Sequence, residues 1–105
     1  MAGVGKLMKQ AAKMQKKMQA LQEELAQKDI EVSSGGGAVT VKISLQQEIR
    51  SIVLDEEFLK EDKSFVEETI LEGVRAAYTQ SKEESEQAMN TIAESMQLPG
   101  MPSLF

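Results

Sequence analysis

The 105-residue chain contains no cysteine, no histidine and no tryptophan. Without cysteine there is no disulfide framework, no thiolate nucleophile and no thiolate-ligated metal. Without histidine the commonest general base and the commonest transition-metal ligand are both missing. Catalysis would have to rest on carboxylates, lysines and hydroxyls alone, and no constellation of these suggests it. The chain therefore reads as a non-enzyme that needs no cofactor. Aromatic residues are scarce, and Phe58, Phe65, Tyr78 and Phe105 are too scattered to form a stacking platform for single strands. No apolar run is long enough to cross a bilayer, and none follows the opening Met-Ala-Gly-Val-Gly-Lys as a signal peptide requires. A cytoplasmic protein is the expectation.

The most informative absence is local. Residues 1–22 hold no acidic side chain but five lysines, Lys6, Lys9, Lys13, Lys16 and Lys17. Residues 23–105 hold seven basic and all seventeen acidic side chains, so the net charge of −5 conceals a basic arm on an acidic body.

Apolar residues in the arm fall at Val4, Leu7, Ala11, Met14, Met18, Leu21 and Leu25. These alternating steps of three and four are the a and d positions of three heptads, a narrow seam that asks for a partner helix. Good helix formers fill the other positions and no proline intervenes, which predicts a helix from about residue 5 to 27. Packing of the seam against the last helix is the expectation. The methionines Met8, Met14 and Met18, with Met89 and Met96 later, fall largely on seam positions and read as packing, not as a pliable peptide-binding groove.

Beyond the arm the period changes from seven to two. Lys28 to Ser33 alternates, with Ile30 and Val32 facing inward, and Ala38 to Leu45 alternates again, with Val39, Val41, Ile43 and Leu45 on one face. Ser33-Ser-Gly-Gly-Gly between them is a turn, since consecutive glycines permit positive φ. It lacks the spacing and the terminal Lys-Ser/Thr of a phosphate-cradling loop. A third strand runs from Glu48 to Leu54, joined through Leu45-Gln46-Gln47 without the Asn-Gly or Asp-Gly of a two-residue hairpin.

Asp55 to Leu59 suggests a short helical turn. A long helix should then start near Asp62 or Ser64, where Ser64 and Glu67 match a capping box. Its inner line is Val66, Ile70, Val74, Ala77, Ser81, Ser85 or Ala88, Ile92 and Met96, with Gly73 as a weak point. The acidic runs Asp55-Glu56-Glu57 and Glu83-Glu84-Ser85-Glu86 lack EF-hand spacing and read as solvated faces. Two prolines and a glycine in Leu98 to Phe105 end the helix. The expected architecture is a single α+β domain over 1–105. It comprises a helical arm (1–27), a three-stranded antiparallel sheet (28–55), a short and a long helix (56–96) and a flexible tail (97–105).

With Val4 at heptad position a, Lys6 and Lys13 take c, Lys9 and Lys16 take f, and Lys17 takes g, so most lysines lie opposite the seam. Gln10, Gln15 and Gln19 flank them as hydrogen-bond donors. A row of ammonium groups on a rigid rod without nearby carboxylates suits phosphate recognition. The plainer reading is a solvated outer face, but such faces usually mix in glutamates as i,i+4 partners, and none precedes Glu23.

The order of parts is distinctive. A Lys/Gln/Met-rich first helix is followed by Ile30-Glu-Val-Ser-Ser-Gly-Gly-Gly-Ala-Val-Thr-Val, then Ile52-Val-Leu-Asp-Glu, Ala76-Ala-Tyr and Met96-Gln-Leu-Pro-Gly-Met-Pro. This layout resembles the YbaB/EbfC family of bacterial nucleoid-associated proteins. The resemblance implies a homodimer in which the strands of two protomers join and the helices project as tweezer-like arms that bind double-stranded DNA. Carried onto this sequence, it points to Lys6, Lys9, Gln10, Lys13, Lys16 and Lys17, with Lys82 and Gln80 as weaker candidates. Gln47 stands where the family usually has a turn glycine, and Thr79 where many members have asparagine. The leading expectation is a dimeric, non-catalytic duplex binder with weak sequence preference, since the first helix has no arginine to read guanine. The alternative is a helical-arm adaptor or chaperone-like clamp for client proteins. A peripheral membrane role is weaker, because the apolar stripe is narrow and carries no Trp or Phe.

Overall fold

The computed structural model describes residues 2–95. The tail assigned to 97–105, and Met96 before it, lie outside the described residues. Helix α1 spans Ala2–Gln27. Strands β1 (Asp29–Ser34), β2 (Val39–Ser44) and β3 (Ile49–Leu54) follow, and helix α2 (Lys63–Ser95) closes the order. A 3-10 turn at Gly35–Gly37 joins β1 to β2, and a second at Phe58–Lys60 precedes α2 as the expected short helix. The three strands form one antiparallel sheet in the order β1-β2-β3.

The period-two pattern sets the sheet's two faces. Val32 pairs with Val41 and Val41 with Ile52, so these side chains share one side. Val39, Val41 and Ile43 are fully buried there with Phe58 and Ala77, and Val66, Ile70 and Val74 pack around them. Glu31, Ser33 and Ser51 face outward and are exposed.

Gly73 explains itself here. A Cβ at that position would lie 2.8 Å from Ser34 Oγ and 3.3 Å from Val39 Cγ1. The residue that weakens the helix is the one that lets it approach the sheet. One turn earlier, Ser34 Oγ donates to the Thr69 carbonyl at 2.9 Å, and Gly35 (φ 61°) sits where a Cβ would meet Thr69 Cγ2 at 2.7 Å. Thr69, absent from the expected inner line, is buried as a result.

The capping-box expectation does not hold. Helix α2 begins at Lys63, and the Val66 amide donates to the Asp62 carbonyl at 3.0 Å, which puts Asp62 at the N-cap. Ser64 then falls inside the first turn, too far along to cap it.

Both helices project from the end of the sheet at Ser44, α1 arriving and α2 departing, and so run antiparallel. Leu21, Leu25 and Leu45 form a second small core there with Ala88 and Ile92. Among the described residues the seam is fully buried, as expected, over this stretch. Met14 and Met18 are half-buried, whereas Val4 and Leu7 are 55% and 66% exposed. The outcome is an elongated molecule of 71 × 23 × 16 Å with a radius of gyration of 20.1 Å. A compact chain of this length would have about 13 Å.

Candidate nucleic-acid interface

The site is a helix surface and not a cavity. Every residue from Gly3 to Lys13 is exposed, as are Lys16 and Lys17, so the five lysines and Gln10 stand in solvent on a rod about 39 Å long. Among the described residues none of these lysines takes part in an ion pair. The first carboxylates on the helix, Glu23 and Glu24, come where it meets the body, and Glu24 is engaged by Lys28 at 3.5 Å. A row of ammonium groups with no internal counter-ion exchanges small cations for phosphates readily.

Lys82 is not brought to this row. It is exposed on α2, but six residues before Ala88, which places it about 120° around the helix from the line that touches α1. Gln80 is likewise exposed on α2. Glu83 and Glu86 beside Lys82 are solvated as expected. Glu84 is not, being half-buried with Oε2 enclosed and without a hydrogen-bond partner among the described residues.

Sequence reasoning missed the residues that aim the arm. The last turn of a helix leaves carbonyls without partners, and the β2–β3 connection and the start of β3 supply donors for two of them and for one carbonyl a turn earlier. Leu45 N donates to the Leu25 carbonyl at 3.1 Å, Gln46 Nε2 to the Gln22 carbonyl at 2.7 Å, and Arg50 Nη2 to the Ala26 carbonyl. Arg50 also reaches Asp29 at 3.4 Å and Glu48 at 3.3 Å. It is able to do so because the β2–β3 register shifts between Lys42 and Ile43, which frees Arg50 from the ladder. Its positive charge lies at the negative end of the α1 dipole.

Gln47 shows how the missing turn glycine is accommodated. It adopts φ 62°, the left-handed conformation that glycine takes without cost. Its Nε2 donates to the Leu45 carbonyl at 3.0 Å and to Ser81 Oγ at 3.1 Å, and Ser81 Oγ donates to the buried Ser44 carbonyl at 2.6 Å. The side chain thus ties the turn to α2 at the point where the arm leaves the sheet.

Residues 1–96 match the YbaB/EbfC DNA-binding family over nearly the whole chain. The chain belongs to that family. A YbaB/EbfC protein has a DNA-binding, nucleoid-associated role and is not a member of an enzyme family. The fold also matches the crystal structure of an uncharacterized protein, HP0035, from Helicobacter pylori. The two share a TM-score of 0.72 at 22% identity, over 88% of this chain and 96% of that one. Among the described residues no helix is long and apolar enough to cross a membrane.

Proposed function

We propose that this YbaB/EbfC protein binds duplex DNA as a homodimer, with the lysine rows of two α1 helices contacting phosphates and altering the duplex's conformation, and so gene expression, in the cytoplasmic nucleoid. The observation that carries this reading is the segregation of charge: five lysines, none in an ion pair among the described residues, on a rod projecting from an acidic body.

The dimer reading is supported by β3. It is an edge strand with a free backbone edge. Ile49 and Ile52 are each 42% exposed although they share a face with the buried Ile43 and Val41. Helix α2 covers β1 and β2 and leaves this apolar margin open. Leu71 and Tyr78 stand exposed on the flank of α2 opposite the Thr69–Gly73 side that meets β1. A second β3 paired along this edge would satisfy the ladder and bury the margin. Light scattering should then give twice the chain mass at micromolar concentration, and a monomer would contradict the arrangement.

If three to five lysines per protomer engage, a dimer neutralises roughly 6–10 phosphates, and affinity falls about 10³–10⁵-fold between 50 and 200 mM salt. The test is duplex anisotropy over a salt series, with Lys9, Lys13 and Lys16 changed together to Ala. Losing six contacts per dimer should lower the log–log salt slope by about 5. Unchanged affinity in the triple variant would sink the lysine-row reading. The exposed Val4, Leu7 and Met8 favour an adaptor that grips protein helices as the second reading. Undetectable duplex binding in low salt would select it.

A further inference from the structure

The phosphate reading leaves two surfaces unused, and they lie at opposite ends of the molecule. One is the tip of α1, where Val4, Leu7 and Met8 are 55%, 66% and 69% exposed close to Lys6 and Lys9. The other is a concavity of about 560 Å³ at the Val39 end of the sheet, between the glycine turn and the start of α2. Its floor is aromatic: Phe58 is buried and meets the half-exposed Phe65 edge-to-face at 5.9 Å. Its rim carries Asp55, Glu57 and Glu61. Among the described residues neither Asp55 nor Glu61 has a cation, and Glu57 pairs only with the exposed Lys60. At Gly36 and Gly37 a Cβ would meet nothing within 4 Å, so the turn side of the concavity is open.

We propose that these two surfaces bind each other between copies of the chain, the basic apolar tip of one α1 seating in the acidic aromatic concavity of another. Each surface supplies what the other lacks. Val4, Leu7 and Met8 gain a dry contact against Phe58 and Phe65, while Lys6 and Lys9 meet a carboxylate rim short of cations. The tip and the concavity of one chain face away from each other along its 71 Å axis, so the contact is between molecules. It joins two different patches, which makes it heterologous: it extends end to end and does not close as a two-fold dimer does. A contact this small is weak and strongly screened by salt. It does not depend on DNA, but it occupies Lys6 and Lys9, and the assembled form therefore withholds the end of the arm from phosphate.

Sedimentation of the full chain in about 20 mM and about 300 mM salt tests this. The weight-average mass should rise at least twofold in low salt above the high-salt species. The double variants Lys6→Glu/Lys9→Glu and Glu57→Lys/Glu61→Lys should each lose that rise. Mixed one to one they should recover it, because reversed arms then face reversed rims and unaltered arms face unaltered rims, and a recovered mixture also shows that both variants fold. Leu7→Ser/Met8→Ser should weaken the association at least tenfold and leave duplex affinity unchanged, which separates this contact from the phosphate surface. No low-salt rise in the wild type, charge variants that associate like wild type, or a mixture that stays at the separate masses would each overturn the proposal.

Discussion

Helix α1 meets two environments along its length, and the body and the arm divide the work of the chain between them. From Leu21 onward its side chains enter a core, and carbonyls near its end accept hydrogen bonds from Leu45, Gln46 and Arg50. From Gly3 to Lys13 every residue is exposed. The same heptad pattern runs through both stretches, so the difference is not in the local sequence signal. It lies in what the rest of the chain places opposite. The body spends its apolar residues on specifying a shape, whereas the arm keeps its own available and adds charge.

The contrast can be broken most sharply by truncating one apolar residue in each region. Ile43→Ala removes a fully buried side chain and should cost about 2–5 kcal/mol in denaturant unfolding. Gly73→Ala forces a methyl group to within 2.8 Å of Ser34 Oγ at the helix–sheet contact, and a loss of about 1–3 kcal/mol is expected by the same measurement. Ser81→Ala removes the donor to the buried Ser44 carbonyl and the acceptor for the half-buried Gln47 Nε2, at about 1–3 kcal/mol. Leu7→Ala, although it also deletes a large apolar side chain, should change stability by less than about 0.5 kcal/mol, because the residue is 66% exposed. Hydrogen exchange adds a reading without substitution. Amides of residues 3–13 should exchange far faster than those of β2, since few tertiary contacts hold that part of α1 closed. Comparable protection in both would mean that the arm is covered in solution.

The parts legible in the sequence were those that repeat. Periods of seven and two located α1 and the strands to within a few residues, and the alternation in β2 named its buried face. The lysine row was visible for the same reason, since five like charges at heptad spacing need no tertiary context to be solvent-facing. What stayed hidden depends on residues far apart in the chain. Gly73 looked like a flaw until Ser34 and Val39 were found against it. Ser64 and Glu67 matched a cap, yet Asp62 lies where the chain turns into the helix. Arg50 gave no sign of its role, because the carbonyl it serves belongs to Ala26, twenty-four residues earlier. Ile49 and Ile52 lie three residues apart, so strict alternation would put them on opposite faces, and only the register shift between Lys42 and Ile43 sets both beside the buried face.

The hydrogen bonds at the base of α1 have a geometric consequence. A rod about 39 Å long, held at one end, magnifies any rotation there, so that a tilt of about 10° moves its far end by about 7 Å. Leu45, Gln46 and Arg50 therefore act on the far end as the pivot of a caliper acts on its jaws. In the proposed dimer, substitutions at this pivot, at the opposite end of α1 from Lys6 and Lys9, would set the width of duplex that the jaws admit.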